Sequence, residues 1–476
     1  MTPLMERPGA LWLHSGDPDG GVGGTSYVAA EPALWLRGRG DVFEVLPGPL
    51  GDRGWVARVQ RADPGSGGAF QRLQAIARAL RRRPQPVGMA RRFPGGLAGF
   101  FSYDLGRRFE EVPETIPSRP GDVPWDFVLG LYDEVLAIDA ATGERRVHRL
   151  AGHAGRVDRG TPILPGLPPT VPGSASPPTP EMSQEEHAAA VGAIREAIAA
   201  GTIYQANLTL RFRAPSTHPD APLATFLRLQ AGNPAPFAAY LDLPGMTIVS
   251  TSPECFLEVG PGGDVVSSPI KGTAGRGDSV ADDEERRAAL LTSAKDRAEL
   301  TMIVDLVRND LGRVCVLGSV SRAPVLRAER HPTVWHLVAD VEGELAPGRD
   351  AFDALRAAFP PGSCIGAPKI RAMSVIEGLE RSRRGPYTGA IGWIGADGAM
   401  GLSVAIRTLV FREGEVTYGV GGGIVFDSDP EWEWAEALLK GRALAGALAA
   451  DPPEDAARSG IPGRPVPLTS PALAGN

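Results

Sequence analysis

The chain is predicted to be an α+β protein, on three observations. Strand-like segments come in runs, as in GLAGFFSY (96–103) with FVLGLYDEVLAI (127–138), and again through 386–426. Helical patterns are interspersed irregularly among them, so a regular βαβ repeat is not expected. The composition, 43% hydrophobic and 22% charged over 476 residues, is that of an ordinary globular protein. That length suffices for two or three average domains or one composite body.

Each element follows from its local pattern. A helix is expected near 69–83, ahead of the first strand run. The segment TPILPGLPPTVPGSASPPTP (161–180) reads as a Pro-rich linker between an N-terminal region, 1–160, and a second region, 181–450. Ser183 and Glu186 in SQEE form a capping box for a helix ending near Gly201, with Val191, Ile194 and Ile198 as its inward stripe. TIYQANLTLRFRA (202–214) alternates as a strand, and GMTIVSTSPECFLEVG (245–260) as a strand pair or a bulged strand. Helices follow near 282–293 and 295–311, the second stopped by Gly312. A last helix runs from 430 to 448, and the tail 451–476, without apolar periodicity, is expected to be disordered.

Several function classes are excluded. A net charge of −7 argues against nucleic acid as a partner, and RALRRRP (78–84) reads as a solvated helix face. Three scattered cysteines, Cys255, Cys315 and Cys364, make neither a disulfide framework nor metal-ligand spacing, which fits a reducing cytoplasm. The N-terminus lacks signal-peptide character. No run approaches 18 apolar residues, so no membrane span is expected.

The basic residues point to chemistry. Of 49, only four are lysines, Lys271, Lys295, Lys369 and Lys440, all in the second region. Lysine can lose its proton and become a nucleophile, whereas guanidinium stays charged. In the helix KDRAELTMIVDLVRNDL (295–311) apolar residues go nearly all round, the pattern of a buried helix. Glu299 shares a stripe with Met302, Ile303 and Leu306 there, so its carboxylate needs either a cation or donor partner or a metal. Glu433, Glu436 and Lys440 fall on one face of the last helix, as an ordinary i,i+4 pair or as Mg²⁺ ligands. YGVGGGIV (418–425) is either an anion cradle or a tight turn. Arg407 in AIRTLV needs an anionic partner, and Tyr387 in PYTGAIG stands near in sequence. His336 in HLVADV is, taken alone, a core histidine or a pocket residue.

Taken in order, the segments YQANL, SPECFL, PIKGTAGR, AKDRAELTMIVDLVRNDLGRV, HLVADV, FPPGSCIGAPKIRAM, YTGAIG, AIRTL and GGGIVFDSDPEWEWAE resemble the chorismate-utilising enzymes. That family contains anthranilate, aminodeoxychorismate, isochorismate and salicylate synthases. The match runs from about 183 to 445, making 181–450 the chorismate-binding catalytic domain and 1–160 an anthranilate-synthase-I-like region. LWLHSG (11–16), GFFSYDLGRRFE (99–110), VPWDFVLGLYD (123–133) and the lysine of PIKGT resemble the aminodeoxychorismate synthase component I branch. The resemblance implies large antiparallel sheets packed on each other with helices outside. It implies Lys271 as a nucleophile, Glu254 as general acid, and Glu299, Glu433 and Glu436 as Mg²⁺ ligands. Gly272, Thr273, His336, Tyr387, Arg407, Gly421, Gly422, Gly423 and Lys440 would bind chorismate. Gln205 stands where the water-using relatives resemble a lysine, which favours ammonia as the second nucleophile. The ammonia would come from a glutamine amidotransferase partner chain. The sequence departs from the family pattern at Leu300, Ile365 and Ala437, which predicts lost polar groups near the site.

Overall fold

In a computed structural model, the described residues are 2–14, 24–51, 54–81, 92–119, 121–150, 157–164, 176–232, 234–322 and 325–449. The core of the predicted linker, 165–175, the end of RALRRRP and the tail from 451 lie outside them.

Three antiparallel sheets organise the chain. The first has eleven strands. Gly366–Ala367, Gln205–Pro215, Glu415–Ile424, Thr408–Arg412, Met246–Ser252 and Phe237–Leu243 lead to Leu11–His14, Thr25–Ala29, Glu134–Asp139 and Arg145–Arg149, with Thr179–Pro180 pairing at the side. The second has nine: Val341–Glu344, Asp264–Ser268, Cys255–Val259, Met400–Val404, Ala390–Gly395, Gly96–Phe101, Phe127–Tyr132, Leu34–Arg39 and Val42–Pro47. Both sheets are therefore continuous from the N-terminal region into the second. Ile270–Gly275, Val334–Ala339 and Leu326–Arg330 make the small third sheet.

The two large sheets face each other across one apolar layer. Leu11, Ala239, Ile248 and Val410 from the first meet Trp35, Phe100, Val128 and Trp393 from the second. Such strands are buried on both faces, which is why Phe127–Tyr132 and Ala390–Gly395 are wholly buried and do not alternate. Helices cover the outer faces. Ala221–Gly232 and Pro430–Leu448 close the first sheet, and Ala69–Leu80, Ala294–Gly312 and Ala351–Ala358 close the second.

The expected capping box is present. The Ser183 hydroxyl accepts from the Glu186 N–H at 3.2 Å, Glu186 accepts from the Ser183 N–H at 2.9 Å, and the helix is Gln184–Ala199. Two expectations are corrected. Gly312 is the last helical residue, not a left-handed stop. The helix Ala294–Gly312 is also not buried all round. Leu300, Ile303, Val304, Val307 and Leu311 face the core, while Met302 and Leu306 line a surface groove with Tyr204 and Pro368.

Several strands leave one sheet for another through a few residues. Met246–Ser252 passes to Cys255–Val259 through Pro253 and Glu254. Met400–Val404 passes to Thr408–Arg412 through Ala405, Ile406 and Arg407. Asp264–Ser268 passes to the third sheet through Pro269, two residues before Lys271. At a crossing the ladder is interrupted, and side chains reach between the layers instead of along a face.

Candidate active site

The first two crossings lie side by side. The Val404 N–H donates to the Glu254 carbonyl at 3.0 Å, and the Thr251 N–H to the Arg407 carbonyl at 3.0 Å. Glu254 is only 4% exposed. Burial pushes its carboxyl up to about 7, although the Ser363 hydroxyl, the charge of Lys271 and the Ile270 backbone all pull the other way. A carboxylic acid poised near neutrality can donate a proton at working pH.

Lys271 owes its direction to a β-bulge. Ile270 pairs with Val338 and Thr273 with His336, so Lys271 and Gly272 together oppose the single residue Leu337. Gly272 has φ +85°, a conformation favoured by glycine, and a Cβ there would stand 2.9 Å from the Asp296 Cβ. The bulge thus lies tight against the first turn of the helix Ala294–Gly312.

Three of the four lysines gather around the carboxylates. Lys295 is 3.6 Å from Glu299, and Lys440 is 2.7 Å from Glu436 and donates to the Gly421 carbonyl at 2.8 Å. Lys271 acts on Glu254, Glu299 and Glu436 through its charge. The fourth lysine, Lys369, is buried in an ion pair with Asp310 at 2.5 Å. Burial raises Glu299, with Asp296 and Glu436 adding to the rise. Burial likewise raises Glu433, whose Oε1 accepts from Ser428 at 2.7 Å. For Glu436 burial is outweighed by Lys440 and Lys271, and the group lies below its ordinary value.

Gly421, Gly422 and Gly423 are neither a turn nor a helix N-terminus. They lie in the strand Glu415–Ile424, opposite Thr209, Leu208 and Asn207, and the last helix begins at Pro430. Their lack of side chains serves close approach. A Cβ on Gly422 would stand 3.0 Å from Glu433 Oε2, and one on Gly423 would stand 1.9 Å from Gln205 Nε2. A Cβ on Gly419 would strike the Tyr387 ring at 2.5 Å, so that glycine seats the tyrosine.

Arg407 is half-buried at φ +50°, and no anionic partner faces its guanidinium among the described residues; burial alone holds it below its ordinary value. His336 is 3% exposed, with Nδ1 3.0 Å from Thr273 Oγ1 and Nε2 unpartnered. Burial, and then the charges of Arg407 and His331, push its imidazole well below the usual value, so it is neutral. Gln205, the Asn207 carbonyl oxygen and the Thr251 hydroxyl are also buried without partners among the described residues. Buried polar atoms without partners are rare, and these could take a hydrogen bond from a polar ligand.

The three positions that depart from the family pattern are buried in apolar surroundings. Leu300, Ile365 and Ala437 are each 1% exposed or less and pack into three separate apolar clusters. Sequence reasoning gave no role to Ser363, which bonds Glu254, to Cys364, whose thiol burial and Glu254 push up to about 12, or to Asn207 and Thr251. The first two lie in FPPGSCIGAPK, and that motif was the available signal.

No three His, Cys, Asp or Glu side chains among the described residues stand close enough to hold a metal ion as they are. The donors Glu299, Glu433 and Glu436 nevertheless fit Mg²⁺ in kind. They are hard oxygen ligands, and Glu299 and Glu433 feel the charge of neighbouring carboxylates as repulsion that a cation would relieve.

An acid, an amine and a guanidinium without an anionic partner among the described residues thus stand at or beside the sheet crossings. A family model described as chorismate binding enzyme matches residues 54–446, and the chain belongs to that family. The chain is 36% identical over 448 residues to aminodeoxychorismate synthase component 1 of Salmonella typhimurium, covering 92% of this chain and 93% of the other. It is 34% identical over 461 residues to anthranilate synthase component 1 of Aquifex aeolicus, covering 92% and 89%. The crystal structure of anthranilate synthase component I from Streptococcus pneumoniae superposes with a TM-score of 0.73 at 27% identity, covering 89% of this chain and 92% of that one. The protein is a chorismate-utilising enzyme of the anthranilate synthase I and aminodeoxychorismate synthase family. No helix among the described residues is long and apolar enough to cross a membrane.

Proposed function

We propose that the chain aminates chorismate to 4-amino-4-deoxychorismate, the reaction of aminodeoxychorismate synthase component I, on the route to 4-aminobenzoate and folate. The observation that carries this reading is the pairing of Lys271, aimed by its bulge, with Glu254, an acid held near 7. The Lys271 amine adds to C2 of chorismate while Glu254 gives its proton to the departing C4 hydroxyl, which leaves as water. Ammonia then adds at C4 and the lysine is expelled from C2. Gln205, buried and uncharged, supplies no base to activate water instead.

Arg407, Tyr387, Gly421 to Gly423, Lys440, Gly272, Thr273 and His336 bind the substrate in this reading, Arg407 taking a carboxylate. Glu299, Glu433 and Glu436 hold Mg²⁺, which when bound supplies positive charge against a substrate carboxylate. Ammonia comes from a glutamine amidotransferase chain forming a heterodimer with this one. The similarity to anthranilate synthase component 1 supports a second reading, in which anthranilate is released directly.

Incubation with chorismate, ammonia and Mg²⁺, followed by chromatography, separates the two. The first reading expects 4-amino-4-deoxychorismate and its loss in Lys271→Arg, which keeps the charge but not the nucleophile. Anthranilate as product, or normal turnover by that variant, overturns it.

A further inference from the structure

The bulge that aims Lys271 lies in the small third sheet, outside the two large ones, so something local must hold it. Asp296 bounds one side through Gly272. On another, a chain of side chains starts on the nucleophile's own strand and ends on the strand that precedes it. Thr273, two residues after Lys271, bonds His336 Nδ1. The His336 ring meets the His331 ring edge to face, with centroids 4.9 Å apart and planes at 68°. His331 Nε2 lies 3.0 Å from Glu329 Oε1, and Glu329 is directly opposite His336 in the strand pairing. Glu329 Oε2 is paired with Arg327, whose guanidinium also grips Asp340 with two contacts of 3.1 Å. Asp340 finally accepts from the Ser268 hydroxyl at 2.7 Å, three residues before Lys271.

The network therefore brackets the bulge from both ends. Two of its links are not hydrogen bonds: the contact between the His331 and His336 rings, and the approach of His331 Nε2 to Glu329, which is close but lacks hydrogen-bond geometry. The His336 ring is tied to the bulge by Thr273 and by the Gly272 backbone, while its Nε2 is unpartnered, so the rings and side chains that flank it share in setting its orientation. His331 is itself fixed, with its side chain 10% exposed, its N–H donating to the Val334 carbonyl at 2.9 Å and its carbonyl accepting from Arg276 at 2.9 Å.

We propose that His331 is a positioning residue for Lys271, acting as a ring wedge that holds His336, and through His336 and Thr273 the bulge. The inference rests on the reading of Lys271 as the nucleophile, and its test separates the two.

Three proteins are compared: wild type, His331→Ala and His331→Phe, the last keeping an aromatic ring in the gap. Hydrogen exchange of the 268–275 backbone is measured together with kcat and KM for chorismate consumption with ammonia. His331→Ala is expected to speed exchange in that segment and to lower kcat at least tenfold. His331→Phe is expected to restore both to within about threefold, because the wedge acts by shape. Unchanged exchange in His331→Ala, faster exchange with normal kcat, or failure of the phenylalanine to rescue each overturns the proposal. If Lys271→Arg consumes chorismate at the wild-type rate, the nucleophile reading fails. The exchange comparison then still decides whether His331 holds the bulge.

Discussion

Replacing Glu254 by glutamine tests the buried acid through stability as well as rate. In the wild type burial lifts the carboxyl from 4.5 to about 7. Between those two values the folded chain keeps a proton that the unfolded chain has released, so stability falls as pH rises through this window. The fall is complete once pH passes the folded value. At about 1.4 kcal/mol per unit the loss is roughly 3 kcal/mol. Glutamine has the size of the protonated acid and carries no charge, so the variant escapes that loss. Near pH 4.5 the two proteins are expected to melt together. At pH 8 the variant is expected to be ahead by roughly 3 kcal/mol, or about 3 °C for a chain of this length, from an unfolding entropy of about 2.1 cal/mol/K per residue. Calorimetric melting at pH 4.5, 6 and 8 reads the difference. Equal melting at pH 8, or a variant that melts lower there, refutes a carboxyl raised by burial. The same variant is expected to keep its KM for chorismate while loss of the C4 hydroxyl stalls.

Three further perturbations address the rest of the pocket. Arg407→Gln removes a half-buried guanidinium that has no anion, so melting should hold or rise while KM for chorismate increases roughly tenfold to a hundredfold; lower melting with unchanged KM contradicts the assignment. Gly423→Ala brings a methyl within 1.9 Å of Gln205 Nε2 and should cost about 1–3 kcal/mol in denaturant titration together with most activity; a silent substitution means that the strand and Gln205 are not so close. Glu436→Gln removes one carboxylate of the proposed Mg²⁺ set and should raise the Mg²⁺ needed for half-maximal rate by about tenfold or more; an unshifted titration removes Glu436 from the set.

Much of the architecture is legible in the sequence because it is set locally. The Ser183–Glu186 box and the last helix, Pro430–Leu448, are dictated by caps and by period. What is not legible is where strands change sheets. Periodicity in GMTIVSTSPECFLEVG allows a strand pair or a bulged strand, but nothing local says that the break at Pro253 and Glu254 carries the chain between layers. That crossing is what buries Glu254 and raises its acid. The same blindness hides the surroundings of the departures from the family pattern. Ile365 and Ala437 lie beside motif residues in sequence, yet strand and helix geometry turn them into apolar clusters. The glycine run misled for a related reason. Consecutive glycines look like a turn, whereas here they thin a strand so that Gln205 and Glu433 can approach it.

The account depends most on a transient bond between the Lys271 amine and the substrate ring. Mass spectrometry of the protein with chorismate and Mg²⁺, ammonia withheld, reads that bond directly. The expected result is a peptide containing Lys271 that carries chorismate less one water. A chain that turns chorismate over when ammonia is added, yet never shows mass on Lys271 without it, contradicts the account.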